Sequence, residues 1–176
     1  MKQPPTFAIR PLKKGDREHV RELFRATYLA YTDTLDPAAA AEGTEHVRKS
    51  LQEDLADPFA HYMRSPGTCF FVAVIDGQVA GMAGVDRWAE DATAVEIRRV
   101  AVGHQFRRRG IAKGLMAHAE SWAASHGYEM VRLYTVEYFT EAIAMYEGLG
   151  YRLVAEHNWG RVKGLEYEKP LKAPTA

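Results

Sequence analysis

The chain has 176 residues, which at roughly 150 residues per domain predicts one domain over 1–176. Hydrophobic residues make up 47% and charged residues 26%, a globular balance that excludes disorder as the main state. Lys plus Arg and Asp plus Glu are 23 each and there is one cysteine, which argues against a dedicated nucleic-acid binder and excludes a disulfide scaffold or a Cys-rich zinc site.

The first residues carry no apolar h-region, and the longest apolar run, Cys69–Ile75, falls far short of the ~20 residues of a membrane helix. The expectation is a cytoplasmic protein without nucleic-acid or membrane partners; a homodimer stays open. In chain order, alternation predicts a strand over 6–12, then a helix capped by Asp16 and running to about Tyr31. Its apolar positions Val20, Leu23, Phe24 and Leu29 recur at helical spacing. Asp36-Pro37 reads as a loop, 44–56 as a weaker helix, and 57–67, with two prolines, as a surface connection. Residues 68–75 and 78–85 are β-rich runs joined by Asp76-Gly77, a strong hairpin signal. A strand over 93–102, a helix over 110–126, a strand over 128–136 and a helix over 140–149 follow. A closing hairpin of 151–159 with 162–168 and a loose tail over 170–176 end the chain. The order β-α-α-β-β-β-α-β-α-β-β predicts an α/β fold with a mixed sheet.

Chemistry concentrates where Val100-Ala101-Val102 ends a strand, a short loop follows, and Gly110-Ile111-Ala112 opens a helix. Free N–H groups at a helix start, small residues that let a ligand approach, and the charges of Arg107, Arg108, Arg109 and Lys113 suit a pyrophosphate. A solvated basic loop explains the same residues equally well. Neither G-x-x-x-x-G-K-[ST] nor G-x-G-x-x-G is present, which leaves P-loop and dinucleotide readings weak.

Arg107-x-x-Gly110-x-Ala112 after Val100-Ala101-Val102 resembles the acyl-CoA signature of the GNAT superfamily of N-acetyltransferases. Two more blocks agree in order and spacing. Glu96-Ile97-Arg98-Arg99-Val100-Ala101-Val102 is similar to the family's central strand, and Ala142-x-x-x-Tyr146-Glu147-x-x-Gly150-Tyr151 to its second CoA-contacting block. The match covers 93–151. The resemblance implies a mostly antiparallel central sheet flanked by helices, with acetyl-CoA as cosubstrate and no metal. It implies donor contacts from Val100, Ala101, Val102 and from Arg107 through Lys113, including Ile111. Many relatives carry an Asn where this chain has Phe139, so the ring or the backbone would replace that contact. The resemblance also implies two strands splayed apart near Val100 and Val102, freeing N–H groups to polarise the thioester carbonyl.

An amine must lose its proton to attack, and alternation sets Glu96 opposite Val95 and Ile97, toward which the core is expected. The resemblance gives Glu96 the base role, directly or through water, and gives Tyr146 the role of acid to the leaving thiolate. A Glu96 paired with Arg98 or Arg99, and a Tyr146 packed on the sheet, are the plainer alternatives. Tyr28, Tyr31, Asp33, Asp36 and Tyr62, in or beside the helical insertion, together with Trp88, are candidates for an acceptor pocket suited to a cationic amine. Cys69 lies in an apolar strand with no histidine near in sequence and reads as packing rather than as a nucleophile. The histidines lack metal-ligand spacing. The expected activity is acetyl transfer to a small-molecule amine, with peptide amines or an idle acyl-CoA sensor as alternatives. A sensor would need neither Glu96 nor Tyr146.

Overall fold

The computed structural model describes residues 6–171. Strand β1 (Ala8–Pro11) leads through a 3-10 turn (Lys14–Asp16) into three helices: α1 (Arg17–Thr32), α2 (Pro37–Gln52) and α3 (Pro58–Met63). Then come β2 (Cys69–Ile75), β3 (Gln78–Arg87), β4 (Ala94–Val102), α4 (Ile111–Ser125), β5 (Met130–Val136), α5 (Thr140–Gly148), β6 (Arg152–Trp159) and β7 (Val162–Pro170). The strands form one sheet in the order β1-β2-β3-β4-β5-β7-β6, antiparallel throughout except for the β4–β5 pair that α4 connects. The expected mixed, mostly antiparallel sheet is therefore present. Among the described residues no helix is long and apolar enough to cross a membrane.

Each sheet face buries its own core. Ile111, Leu115 and Met116 of α4 and Tyr146 of α5 cover Phe71, Ala73, Val95 and Ile97 on one side. On the other, Phe24 of α1, Leu51 of α2 and Tyr62 of α3 cover Phe70, Val72 and Met82. Adjacent residues such as Phe70 and Phe71 thus enter different cores, which is why β2 is apolar along nearly its whole length.

Four expectations are corrected. The helix expected at 44–56 begins at Pro37, because Asp36 is its N-cap: its carboxylate accepts from Ala38 and Ala39 N–H (3.0 and 3.1 Å) and Pro37 takes the first helical position. The same Asp-Pro arrangement, with Asp57 accepting from Ala60 N–H (3.0 Å), makes a third helix inside the expected surface connection. The tail was expected loose from 170, yet β7 includes Pro170 and Leu171 N–H donates to Glu129 O at 2.8 Å; 172–176 lie outside the described residues. Asp16 does precede α1, but its carboxylate binds Arg10 (2.6 Å) and Lys13 N–H (2.8 Å) instead of capping that helix.

β4 contains the feature that shapes the site. Gly84 pairs with Arg98 and Met82 with Ala101, so Arg99 and Val100 together oppose Ala83, and Arg99 sits at φ +58°. This bulge breaks alternation. Val95 and Ile97 face α4 before it, Val100 and Val102 after it, while Arg99 turns to the α1–α3 side over the Phe24 ring. A left-handed non-glycine residue costs about 1–2 kcal/mol. Arg99 offsets it by donating from Nε and Nη2 to Asp54 (2.9 and 2.6 Å), in the loop between α2 and α3, which also accepts the Tyr62 hydroxyl. Burial alone would raise the Asp54 carboxyl, but the Arg99 guanidinium outweighs it and holds it below the usual range. Its stabilising effect is therefore present above the ordinary carboxylate pKa and is lost as pH falls through the lowered one. Asp54→Asn leaves a buried guanidinium unpaired and is expected to cost about 3–5 kcal/mol in urea unfolding; a loss under about 1 kcal/mol, the scale of a surface pair, would contradict this role.

Candidate active site

β4 pairs with β5 only over Ala94–Glu96 and Met130–Arg132; beyond Glu96 the two strands part, and β5 from Leu133 to Val136 pairs only with β7. The gap opens a cleft of about 1360 Å³ between β4, β5, α1, α2, α5 and the start of α4. Gly103 N–H donates to Ala80 O (2.9 Å) and Ala101 faces Met82. By the alternation of an antiparallel ladder, Val100 and Val102 turn their N–H groups away from β3, into the gap.

At one end lies the start of α4. Gly110 caps it at φ +76° with no side-chain bond, and the first bond back to it is Gly114 N–H to Gly110 O (2.9 Å). The N–H groups of Ile111, Ala112 and Lys113 therefore have no intrahelical partner. A Cβ on Gly110 would meet nothing within 4 Å, so this backbone stands open to a ligand. Arg107, Arg108 and Lys113 line the same end, with Arg107 5.5 Å from the Tyr31 ring. Unpaired N–H donors, an open backbone and these cations fit the pyrophosphate of an acyl-CoA. Arg109 does not join them: it folds back to Gln105 O (3.3 Å) and over Phe106.

Glu96 lies roughly 20 Å along the strand from Val102. Val95 and Ile97 are buried under α4 and Glu96 faces the cleft. Its carboxylate makes no hydrogen bond among the described residues; Arg98 Nη1 stands at ion-pair distance, 3.7 Å, so the pairing with Arg98 expected as the plainer alternative is met, while Arg99 is committed to Asp54. Burial pushes the Glu96 carboxyl up, with Arg98 and Arg99 pulling the other way. Tyr146, 7% exposed, lines the cleft, and its hydroxyl likewise makes no hydrogen bond among the described residues. Burial, with Tyr28 and Tyr31 beside it, raises the phenol, so it carries its proton at neutral pH. Its ring also packs near Tyr151 and Tyr167, so the packing role expected as the plainer alternative is met too.

Tyr28, Tyr31 and Phe139 form one aromatic wall of the cleft, with Phe139 4.5 Å from Tyr31 and 5.4 Å from Tyr28 between ring centroids. Phe139 is the residue before α5 and offers no side-chain cap. Other acceptor candidates are not brought here. Asp33 is exposed at the end of α1, Asp36 caps α2, and Tyr62 is buried on Asp54. Trp88 is half-buried off the cleft, 5.4 Å from the Arg132 guanidinium and 5.5 Å from Tyr134. Residues the sequence reading missed take their place: Arg98, Tyr134, Trp159 and, from α2, Glu42, His46 and Lys49. Arg98 was legible as the residue two beyond Glu96 on the same strand face. Glu42 also accepts from Arg161 N–H (3.0 Å), joining α2 to the β6–β7 turn across the cleft. Among the described residues no cluster of His, Cys, Asp or Glu is placed to hold a metal.

The family model for the acetyltransferase (GNAT) family matches residues 20–151. The chain is 41% identical over 107 residues to the N-acetylaspartate synthetase of Danio rerio, covering 61% of this chain and 38% of that protein. It thus spans well under half of that relative's length. Among solved structures it is similar to a GNAT-family acetyltransferase of Staphylococcus aureus Mu50 (TM-score 0.76, 18% identity, 95% of this chain and all of that one). It is also similar to the PaiA N-acetyltransferase of Thermoplasma acidophilum, solved in complex with coenzyme A (TM-score 0.76, 17% identity, 94% and 99%). Gly110→Val combines a strained left-handed backbone with a side chain where a ligand would approach. In calorimetric titration it is expected to weaken CoA binding about tenfold or more; wild-type affinity would contradict the pyrophosphate assignment.

Proposed function

The chain belongs to the GNAT family of acetyl-CoA-dependent N-acetyltransferases, and we propose that it transfers the acetyl group to the primary amine of a small molecule by direct attack in a ternary complex. The observation that carries this reading is that Glu96 and Tyr146 line one cleft with no hydrogen bond of their own, beside a strand that turns two N–H groups into the same gap.

Acetyl-CoA supplies an acyl carbon activated as a thioester. Glu96 takes a proton from the acceptor's ammonium, directly or through one water, which frees the nitrogen lone pair to form the N–C bond; the N–H proton shed as the amide forms replaces the one that Tyr146 gives up. The Val100 N–H, the one of the two nearer Glu96 on β4, donates to the oxygen on which charge develops, the contribution that is usually largest in acyl transfer, and the Val102 N–H is left for the donor's pantetheine arm. Tyr146 gives its proton to the sulfur as the C–S bond breaks. Ile111, Ala112 and Lys113 N–H groups, with Arg107 and Arg108, hold the phosphates. Cys69 has no part as a nucleophile: it is 6% exposed, and burial pushes its thiol up to about 11, leaving little thiolate.

Two features support a small acceptor over a peptide. The Glu42–Arg161 bond spans the cleft between α2 and the β6–β7 turn, narrowing the approach a chain would need. The N-acetylaspartate synthetases, at 41–42% identity to this chain in the Danio rerio and Homo sapiens proteins, are named for an acetylated amino acid.

Because burial raises the Glu96 carboxyl, the base is lost at a higher pH than an ordinary carboxylate would be. The acid limb of kcat/KM is accordingly expected above the usual carboxylate range. Followed by thiol release, Glu96→Gln should lose about 10²-fold or more in turnover near neutral pH. The deficit should narrow toward the amine's own pKa of ~10. Tyr146→Phe should lose turnover with CoA affinity retained. Wild-type rates in both variants would overturn the mechanism.

A further inference from the structure

Most of the other arginines that are buried or half-buried are committed. Arg10 binds Asp16 at 2.6 Å, Arg99 binds Asp54 at 2.6 Å, Arg132 binds Glu166 at 2.6 Å, and Arg21 donates to the Leu51 and Leu55 carbonyls at 2.9 and 2.5 Å. Arg98 is different. It lines the cleft two residues from Glu96 on the same strand face, and among the described residues its guanidinium makes no hydrogen bond. Its nearest acids, Asp86 Oδ2 at 3.5 Å and Glu96 Oε2 at 3.7 Å, lie outside good hydrogen-bond geometry. Its Nε is enclosed without a partner, and its side chain is 29% exposed, so contact with the cleft falls to the remaining atoms. A partly desolvated guanidinium with idle donors is costly unless something accepts from it.

Glu96 and Arg98 set a negative and a positive group side by side, at ion-pair distance (3.7 Å) with no hydrogen bond between them. An α-amino acid sets a positive and a negative group side by side on one carbon. We propose that Arg98 binds the α-carboxylate of an amino-acid acceptor while Glu96 receives its ammonium, which makes Arg98 the residue that selects α-amino acids over simple amines. This rests on the acetyl-transfer reading above and names its substrate class. The planar fork of arginine suits two-point recognition of a carboxylate, which lysine offers only as a point charge. Lys49, on the wall of the same cleft, adds positive charge on the α2 side.

The test compares two acceptor pairs that differ only by the α-carboxylate: L-aspartate with β-alanine, and L-alanine with ethylamine. Wild type, Arg98→Lys and Arg98→Gln are assayed for kcat and KM, with CoA affinity measured on each protein to verify the folded donor site. Wild type is expected to prefer the α-carboxylate member of a pair by about 10- to 100-fold in kcat/KM. Arg98→Gln should collapse that ratio, chiefly through KM, with CoA affinity retained; Arg98→Lys should keep part of it. Using the ratio cancels any effect of Arg98 on the Glu96 proton, because both members of a pair share that base. A wild-type enzyme without the preference, or a Gln variant that keeps it, overturns the Arg98 assignment and leaves amine acetylation standing. No turnover on any of the four with CoA binding intact overturns both.

Discussion

Arg99 occupies a backbone conformation that a non-glycine residue holds only under compulsion, and the bidentate bond to Asp54 supplies it. With that pair in place, β4 gains one residue relative to β3 and its alternation reverses. Val100 and Val102 then pack toward α4 while their N–H groups point into the gap beside β5. Without the reversal, the strand after Ile97 would present other side chains to each core. The pair also ties the helical insertion to the sheet, since Asp54 lies between α2 and α3 and binds Tyr62 of α3. One buried interaction thus sets both the floor of the cleft and the position of the elements over it.

From that floor the two ends of the cleft divide the chemistry. The α4 end offers backbone donors and cations, a combination that reads phosphate charge and is indifferent to what is acylated. The Glu96 end offers a carboxylate raised by burial and an arginine without a bonded partner, a combination that reads the acceptor. Between them, Tyr28, Tyr31 and Phe139 make the wall apolar. An apolar wall strengthens the electrostatic interactions beside it by excluding water; burial lifts the Glu96 carboxyl toward neutrality, the direction a base working there requires, and keeps Tyr146 protonated.

Local patterns were legible in the sequence where one interaction decides the structure. Asp76-Gly77 predicts its hairpin because both residues take positive φ. The stripe through Ile111, Leu115 and Ala119 predicts α4, and alternation puts Val95 and Ile97 in the core opposite Glu96. The helices at Pro37 and Pro58 were misread because Asp-Pro serves a turn and a helix start equally well. In α2 the alanines after Pro37 also supply no amphipathic stripe. Asp54 was illegible for a different reason. It meets Arg99 across 45 residues of chain, and nothing local to either marks the pair. Arg109 looked equivalent to Arg107 and Arg108, but its side chain closes on its own loop. Asp33 follows from its place beside the helical insertion and Trp88 from its place on the connection after Val85, but position along the chain does not fix side-chain direction, and the fold directs both away from the cleft.

The central claim is that the strand separation beyond Glu96 aims a backbone donor at the reacting carbonyl. Isotope-edited infrared spectroscopy of acetyl-CoA carrying carbon-13 at the thioester carbonyl, bound to the protein without acceptor, tests it most directly. Donation from a fixed N–H group weakens the C=O bond, so the account predicts a stretch at lower frequency than the same molecule shows in water. A bound carbonyl at the frequency of an apolar solvent, with binding itself intact, would contradict it.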